Sequence, residues 1–170
     1  MPVDSRVAAV VHALAERGQT LASVESLTGG LLAATLVEVA GVSAVFRGGL
    51  VVYATDLKES LAGVPADLLA ERGPVDPDVA VALAEGGRTR CGADWAIATT
   101  GVAGPQPQGG KPVGTVFVAV AGPDNATVRE LSLGGGRAAV RMASVTAALE
   151  LLVEQLRGHP TATPGVATGS

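Results

Sequence analysis

The chain has 170 residues, 48% hydrophobic and only 2% aromatic, with 23 glycines, so one domain with an aliphatic, closely packed core is expected. A formal net charge of −4, with Lys and Arg scattered, excludes general attraction for nucleic acid. The lone cysteine, Cys91, excludes an internal disulfide framework, and no apolar run approaches the ~20 residues of a membrane span, so a cytoplasmic protein is expected.

The opening "MPVDSRVAAVVHALAERG" carries polar residues throughout, unlike a signal peptide, and repeats Val7, Val10, Val11 and Leu14 at helical spacing. It predicts a helix over residues 4–17, started by Asp4 or Ser5 and ended by Gly18. "TLASVES" reads as a short strand, and "TGGLLAATLVEVAG" as a second helix closed by Gly41. "AVFRGGLVVYAT" reads as a strand with two glycines, followed by a short helix over "DLKESLAG" and another over "DPDVAVALAEGGRTRC".

"ADWAIATTG" and "GTVFVAVAG" have the length and flanking glycines of buried strands, and "ATVRELSL" reads as an edge strand beside them. "RAAVRMASVTAALELLVEQLRG" predicts a final helix, leaving residues 1–157 as one domain and residues 158–170 as a disordered tail. This alternation of helices and strands predicts a three-layer α/β/α sandwich around a mostly parallel mixed sheet with one antiparallel strand. Ligands in such sheets bind beyond the carboxyl ends of the strands, where Ser26–Gly30, Tyr53–Lys58 and Thr99–Pro105 should meet.

Several chemistries lack their residues. The only histidines, His12 in the first helix and His159 in the tail, are poor bases for a serine triad, and with one cysteine they cannot assemble a zinc site. "GPQPQGGKPVGT" superficially resembles a phosphate-binding loop, but Pro112 follows Lys111 where Ser or Thr is needed. What remains is a serine activated by a lysine. Lys58, Lys111 and Arg47 are the cations near the rim, and arginine does not give up its proton at neutral pH. A partly desolvated Lys58 could serve as general base to Ser26.

Each residue also has a plain structural explanation. Ser26 and Thr28 could cap a helix, Lys58 could be a solvated lysine, and Tyr53 could fill the core edge. Thr99, Thr100 and Gly101 could be a mere strand end, Arg137 and Arg141 an exposed basic face, and Glu25 the partner of a nearby cation.

Taken together, "ESLTGG", "SAVFRGGLVVYATDLK", "LLAERGPVDPDVAVALAEGGR", "GADWAIATTGVAGP", "KPVGTVFVAV" and "GRAAVR" resemble the C-terminal domain family of the competence/damage-inducible CinA proteins, which includes nicotinamide-nucleotide amidases. The resemblance covers residues 5 to 157. It implies hydrolysis of the carboxamide of nicotinamide mononucleotide to nicotinic acid mononucleotide and ammonia, without metal or other cofactor. It also implies a homo-oligomer, while the charge and the lack of a long apolar run argue against nucleic acid or a membrane as partner. By the same resemblance the nucleophile is Ser26, its lysine partner Lys58, with further catalytic contacts from Tyr53 and Thr100. Thr28, Gly29, Gly30 and Gly101 are implied substrate contacts, and N–H groups from Thr28 to Gly30 are candidates for an oxyanion hole. Arg137 and Arg141 match basic positions expected to meet the substrate phosphate. Tyr53 would either orient Lys58 or contact the pyridine ring. Three departures stand out: Leu27 where the family commonly has Cys, a shorter loop over Gln106–Gly110, and Gly136 in place of an acidic residue. A non-catalytic nucleotide-binding or regulatory module is the competing expectation.

Overall fold

The computed structural model describes residues 1–159; the tail expected beyond them lies outside the described residues. Helix α1 (Val3–Arg17) buries Val7, Val10 and Leu14 and closes at Gly18, whose left-handed backbone lets its N–H reach the last turn. Its start is Pro2, not Asp4 or Ser5: the fixed φ of proline suits a helix entry, and Asp4 lies in the first turn beside the positive helix end.

Strand β1 (Leu21–Glu25) is buried at every position. Helix α2 (Leu31–Val37) is half the length expected from "TGGLLAATLVEVAG". Gly29 and Gly30 have φ of 58° and 100°, outside helical geometry, and Gly41, with φ of 89°, opens a single 3₁₀ turn over Val42–Ala44 instead of closing the helix. Strand β2 (Phe46–Val51) follows, then α3 (Thr55–Ser60). Helix α4 (Ala66–Arg72) was not anticipated: seven residues with only Leu69 buried leave no readable period. Helix α5 (Pro77–Cys91) has Asp76 as N-cap, its carboxylate accepting from the N–H groups of Asp78 and Val79. Strands β3 (Trp95–Gly101), β4 (Thr115–Ala121) and β5 (Ala126–Ser132) lead to α6 (Arg137–Gly158), which takes in Gly158 from the expected tail.

The five strands form one sheet in the order β2-β1-β3-β4-β5. β1 pairs parallel with β2 and β3, whereas β4 is antiparallel to β3 and to β5. Only β4 runs against the other four, as expected, but the ladders divide evenly between parallel and antiparallel, so "mostly parallel" overstates the pairing. Alternate residues serve opposite faces. Leu21, Trp95, Ile97, Val116, Val118 and Val120 pack under α1, α2 and α6. Val24, Ala98, Phe117 and Ala119 pack under α5, which comes so close that a Cβ on Gly87 would lie 2.5 Å from Val24. The result is the three-layer α/β/α arrangement.

What matters for chemistry is the register. Glu25 at the end of β1 faces Val51 on one side and Thr99 on the other, so β1 and β2 finish level and β3 runs on past them to Gly101. The chain immediately beyond them is tied across: Ser26 N–H donates to Thr99 O at 3.1 Å, and Val52 N–H to Glu25 O at 2.8 Å. Residues distant in sequence are thereby delivered to one sheet edge.

Candidate active site

Ser26 sits directly after β1, 7% exposed, in a five-residue turn that ends at Gly30. It is not the helix cap that its residue type favours. Gly30 is the N-cap of α2, with no side-chain bond, and the first free N–H groups are met by Glu25: Leu32 and Ala33 donate to its two carboxylate oxygens at 2.7 and 3.0 Å. Glu25 therefore binds a helix end rather than the cation expected from sequence. The Ser26 hydroxyl is left free for another partner.

That partner is Lys58, on the short helix α3. It is 1% exposed, and its Nζ lies 3.0 Å from Ser26 Oγ, 2.8 Å from Val52 O and 3.2 Å from Tyr53 O. The solvated lysine of the plain explanation is thus excluded. Burial lowers its pKa from 10.5 to about 8, because a desolvated ammonium loses hydration that three acceptors replace only in part. The three bonds aim the nitrogen at the serine. Once Nζ is neutral, its lone pair can accept the Ser26 hydroxyl proton across the same 3.0 Å. Lys111 instead lies over the Phe117 ring, and Arg47 donates to Cys91 O, so Lys58 alone of the three cations meets Ser26.

A pocket of about 110 Å³ opens above this pair. Ser26, Lys58, Tyr53, Thr100, Gly101 and Arg137 all line it. Thr100 is buried, and its hydroxyl donates to Pro74 O at 2.6 Å, joining the end of β3 to the segment that leads into α5. Tyr53 divides its two groups: the main-chain carbonyl accepts from Lys58, while the exposed phenol accepts from Arg137 at 3.0 Å. Lysine orientation by the phenol is excluded. Arg137 opens α6 and also donates to Gly104 O, so its guanidinium bridges both sides of the pocket mouth at a helix N-terminus.

Four of the predicted site residues do not line the pocket. Thr28 is fully buried and shares a 2.8 Å hydroxyl contact with Thr99, behind the turn. Gly29 donates its N–H to Ser26 O, which removes it from the expected oxyanion donors, and Gly30 starts α2 through its carbonyl, which accepts from the Ala34 N–H. Arg141 points at the turn rather than at the pocket mouth: Nε donates to Leu27 O at 2.9 Å and Nη2 to Thr28 O at 2.8 Å. A shared helical face did not give the two arginines a shared target.

Sequence reasoning missed Pro74, Val75, Gln106 and Gln108, which also line the pocket, and reached Thr55 only as an unnamed member of the stretch Tyr53–Lys58. Thr55 opens α3, a position readable only once that helix is bounded, and the two glutamines come from the loop whose turn at Gly109 and Gly110, both with positive φ, brings Gln108 opposite Lys111. Neither histidine lines the pocket: His12 lies beside Glu16, and the His159 ring packs edge-on to Trp95. Among the described residues no three His, Cys, Asp or Glu side chains converge, and no helix is long and apolar enough to cross a membrane.

The CinA C-terminal domain model matches residues 3–156. The chain is 50% identical over 157 residues to a "CinA-like protein" of Frankia casuarinae, an alignment covering 92% of this chain and 36% of that relative. It is 48% identical over 151 residues to a "CinA-like protein" of Geobacter sulfurreducens, covering 87% and 36%. The chain thus spans little more than a third of the length of these relatives. Among solved structures, the competence damage-inducible protein A (ComA) of Klebsiella pneumoniae superimposes with a TM-score of 0.90 at 32% identity, over 94% of this chain and 100% of that one. The competence/damage inducible protein CihA of Agrobacterium tumefaciens does so with a TM-score of 0.86 at 35% identity, over 91% and 95%.

Proposed function

The chain belongs to the CinA C-terminal domain family, and from that premise we propose that it is an amidohydrolase that converts nicotinamide mononucleotide to nicotinic acid mononucleotide and ammonia. The observation that carries the reading is the buried Lys58–Ser26 contact at 3.0 Å at the foot of the pocket. With a pKa of about 8, roughly a quarter of Lys58 is neutral at pH 7.5 and able to act as base.

Ser26 Oγ attacks the carboxamide carbon as its proton passes to neutral Lys58, giving a tetrahedral intermediate. Lys58, now an ammonium, returns that proton to the leaving nitrogen, and ammonia departs as the C–N bond breaks. The nicotinoyl group stays as an ester on Ser26. Water then attacks this ester with Lys58 as base, and the serine is regenerated with the acid as product. The Val52 and Tyr53 carbonyls hold Nζ in place through both cycles. None of these steps needs a metal.

The pocket volume suits a single ring rather than a whole nucleotide, so the ribose phosphate would lie along the mouth toward Arg137. Two N–H groups of Arg137 are engaged by Gly104 and Tyr53, leaving further donors, with the positive end of α6, for an anion. Residues 1–157 as the catalytic domain, a homo-oligomeric state and a cytoplasmic location belong to the same proposal.

Product analysis tests the reading. After exhaustive chelation, purified protein is expected to convert the mononucleotide to equal amounts of nicotinic acid mononucleotide and ammonia. Binding without turnover would support a nucleotide-binding module instead, and activity that returns only with a particular divalent ion would overturn the serine mechanism. Arg137→Ala is expected to raise KM for the mononucleotide roughly 10- to 100-fold, the range of one lost charge-assisted contact. The preference over nicotinamide riboside, which lacks the phosphate, should fall by the same factor. Equal proportional losses on the two substrates would mean that Arg137 supports the fold and not the phosphate.

A further inference from the structure

We infer that Thr100 reads the nitrogen of the scissile amide and so separates amide substrates from esters and acids; this rests on the reading of Ser26 as nucleophile. Alternation along the strands puts the two side chains on one face. Glu25 turns its carboxylate to α2 and Thr99 turns its hydroxyl to Thr28, so Ser26 and Thr100, each one residue further on, face the other way. That is the face on which Val24 and Ala98 pack under α5. Glu25 pairs with Thr99 in the parallel ladder, and the Ser26 N–H continues it by donating to Thr99 O. Ser26 and Thr100 are therefore lateral neighbours, their main chains about 4.8 Å apart. Both line the pocket.

Thr100 selects through the one proton its hydroxyl carries. That proton is given to Pro74 O at 2.6 Å, a carbonyl that can only accept. A hydroxyl has one proton and two lone pairs, so lone pairs are all that the oxygen has left for a ligand. The commitment is firm. Thr100 is 1% exposed and its branched side chain has few rotamers. No other donor among the described residues reaches Pro74 O, so turning the proton into the pocket would strand that carbonyl. Pro74 lines the same pocket, which places the bond in its wall.

A carboxamide beside Ser26 presents two unlike ends, an oxygen that only accepts and an NH2 that donates. Only the NH2 suits Thr100. The residue thus fixes which way round the amide lies, with the leaving nitrogen toward β3 and the carbonyl oxygen turned away. The water that attacks the acyl-enzyme enters where ammonia left and donates to the same oxygen. An ester puts an oxygen without hydrogen in that place, and the acid product puts a carboxylate oxygen there, so lone pairs meet lone pairs. Repulsion of the acid favours product release.

The test compares nicotinamide mononucleotide with the methyl ester of nicotinic acid mononucleotide, whose leaving group has no N–H. Thr100→Val keeps the shape of the side chain and removes the oxygen. With the fold checked by near-ultraviolet circular dichroism, its kcat/KM on the amide is expected to fall roughly 10- to 100-fold, the cost of a donor left without its acceptor. Its kcat/KM on the ester should stay level or rise. The acid product should inhibit it more tightly than the parent, which lost packing alone would not produce. Thr100→Ala, smaller and also without the oxygen, should show the same shift, and Thr100→Ser, which keeps the hydroxyl, should retain the preference for the amide.

If the parent hydrolyses the mononucleotide and both oxygen-free variants lose equally on amide and ester, Thr100 only supports the fold, and the amidohydrolase reading stands without it. A parent that releases methanol from the ester but no ammonia from the amide ends both.

Discussion

Replacing Ser26 with alanine is expected to lower kcat by at least about 10³-fold while leaving the fold, and the affinity for nicotinamide mononucleotide, nearly unchanged. The size follows from the role: without Oγ there is no acyl-enzyme, and the nucleophile held 3.0 Å from Lys58 Nζ is gone. The stability follows from the turn. Gly30 starts α2 and Glu25 covers its first N–H groups, so removal of the hydroxyl deletes no cap, and Lys58 keeps two carbonyl acceptors. Steady-state kinetics with a thermal melt checks both halves. Near-normal turnover with a markedly lower melting temperature would make Ser26 structural.

Lys58→Met is expected to cost as much activity as the serine variant and to change how stability responds to pH. In the parent, kcat/KM should rise with pH and level off above about 8, where Lys58 has lost its proton. The stability sign runs with it. The folded pKa of about 8 lies below the unfolded value of 10.5, so between these the unfolded chain binds the extra proton and folding becomes more favourable as pH rises. The contribution is complete above the unfolded pKa and is lost as pH falls through the folded one. At full extent the shift corresponds to about 3 kcal/mol. Met cannot titrate, so the difference in unfolding free energy, parent minus variant, should climb across that window. A difference independent of pH would mean that Lys58 is not held with a lowered pKa, and the general-base assignment would lose its basis.

The sheet was legible because its signals are local and redundant: apart from threonines at one end and the closing glycine of the first, "WAIATTG" and "TVFVAVA" are continuous apolar runs, as strands covered on both faces are. The ends of α2 were not legible, since "TGGLLAATLVEVAG" carries a helical period through glycines whose positive φ the period does not reveal. The hydroxyl at Ser26 suggested a cap for the same reason; the actual acceptor, the Glu25 carboxylate, reaches the helix end from the strand side, a path that only the tertiary turn creates. Ser26 and Lys58 were nameable as a pair through elimination of other bases and through the family resemblance, while their 3.0 Å contact depends on the register of β1 and β2. Arg137 and Arg141 show the limit most clearly. A spacing of four residues places both on one side of α6, but side chains of that length diverge, one to Gly104 and Tyr53 at the pocket mouth and the other to Leu27 and Thr28 behind it.

The central claim, that Ser26 carries the acyl group, is tested most directly with an activated ester of nicotinic acid mononucleotide. Its good leaving group makes acylation outrun hydrolysis of the acyl-enzyme, so the intermediate accumulates. The account predicts a burst of leaving group equal to the amount of protein, one nicotinoyl nucleotide per chain by intact mass, and peptide mapping that puts it on Ser26, with burst and label both absent from Ser26→Ala. A label on another residue, a burst that survives in Ser26→Ala, or turnover of the ester by the parent with neither burst nor covalent adduct would contradict it.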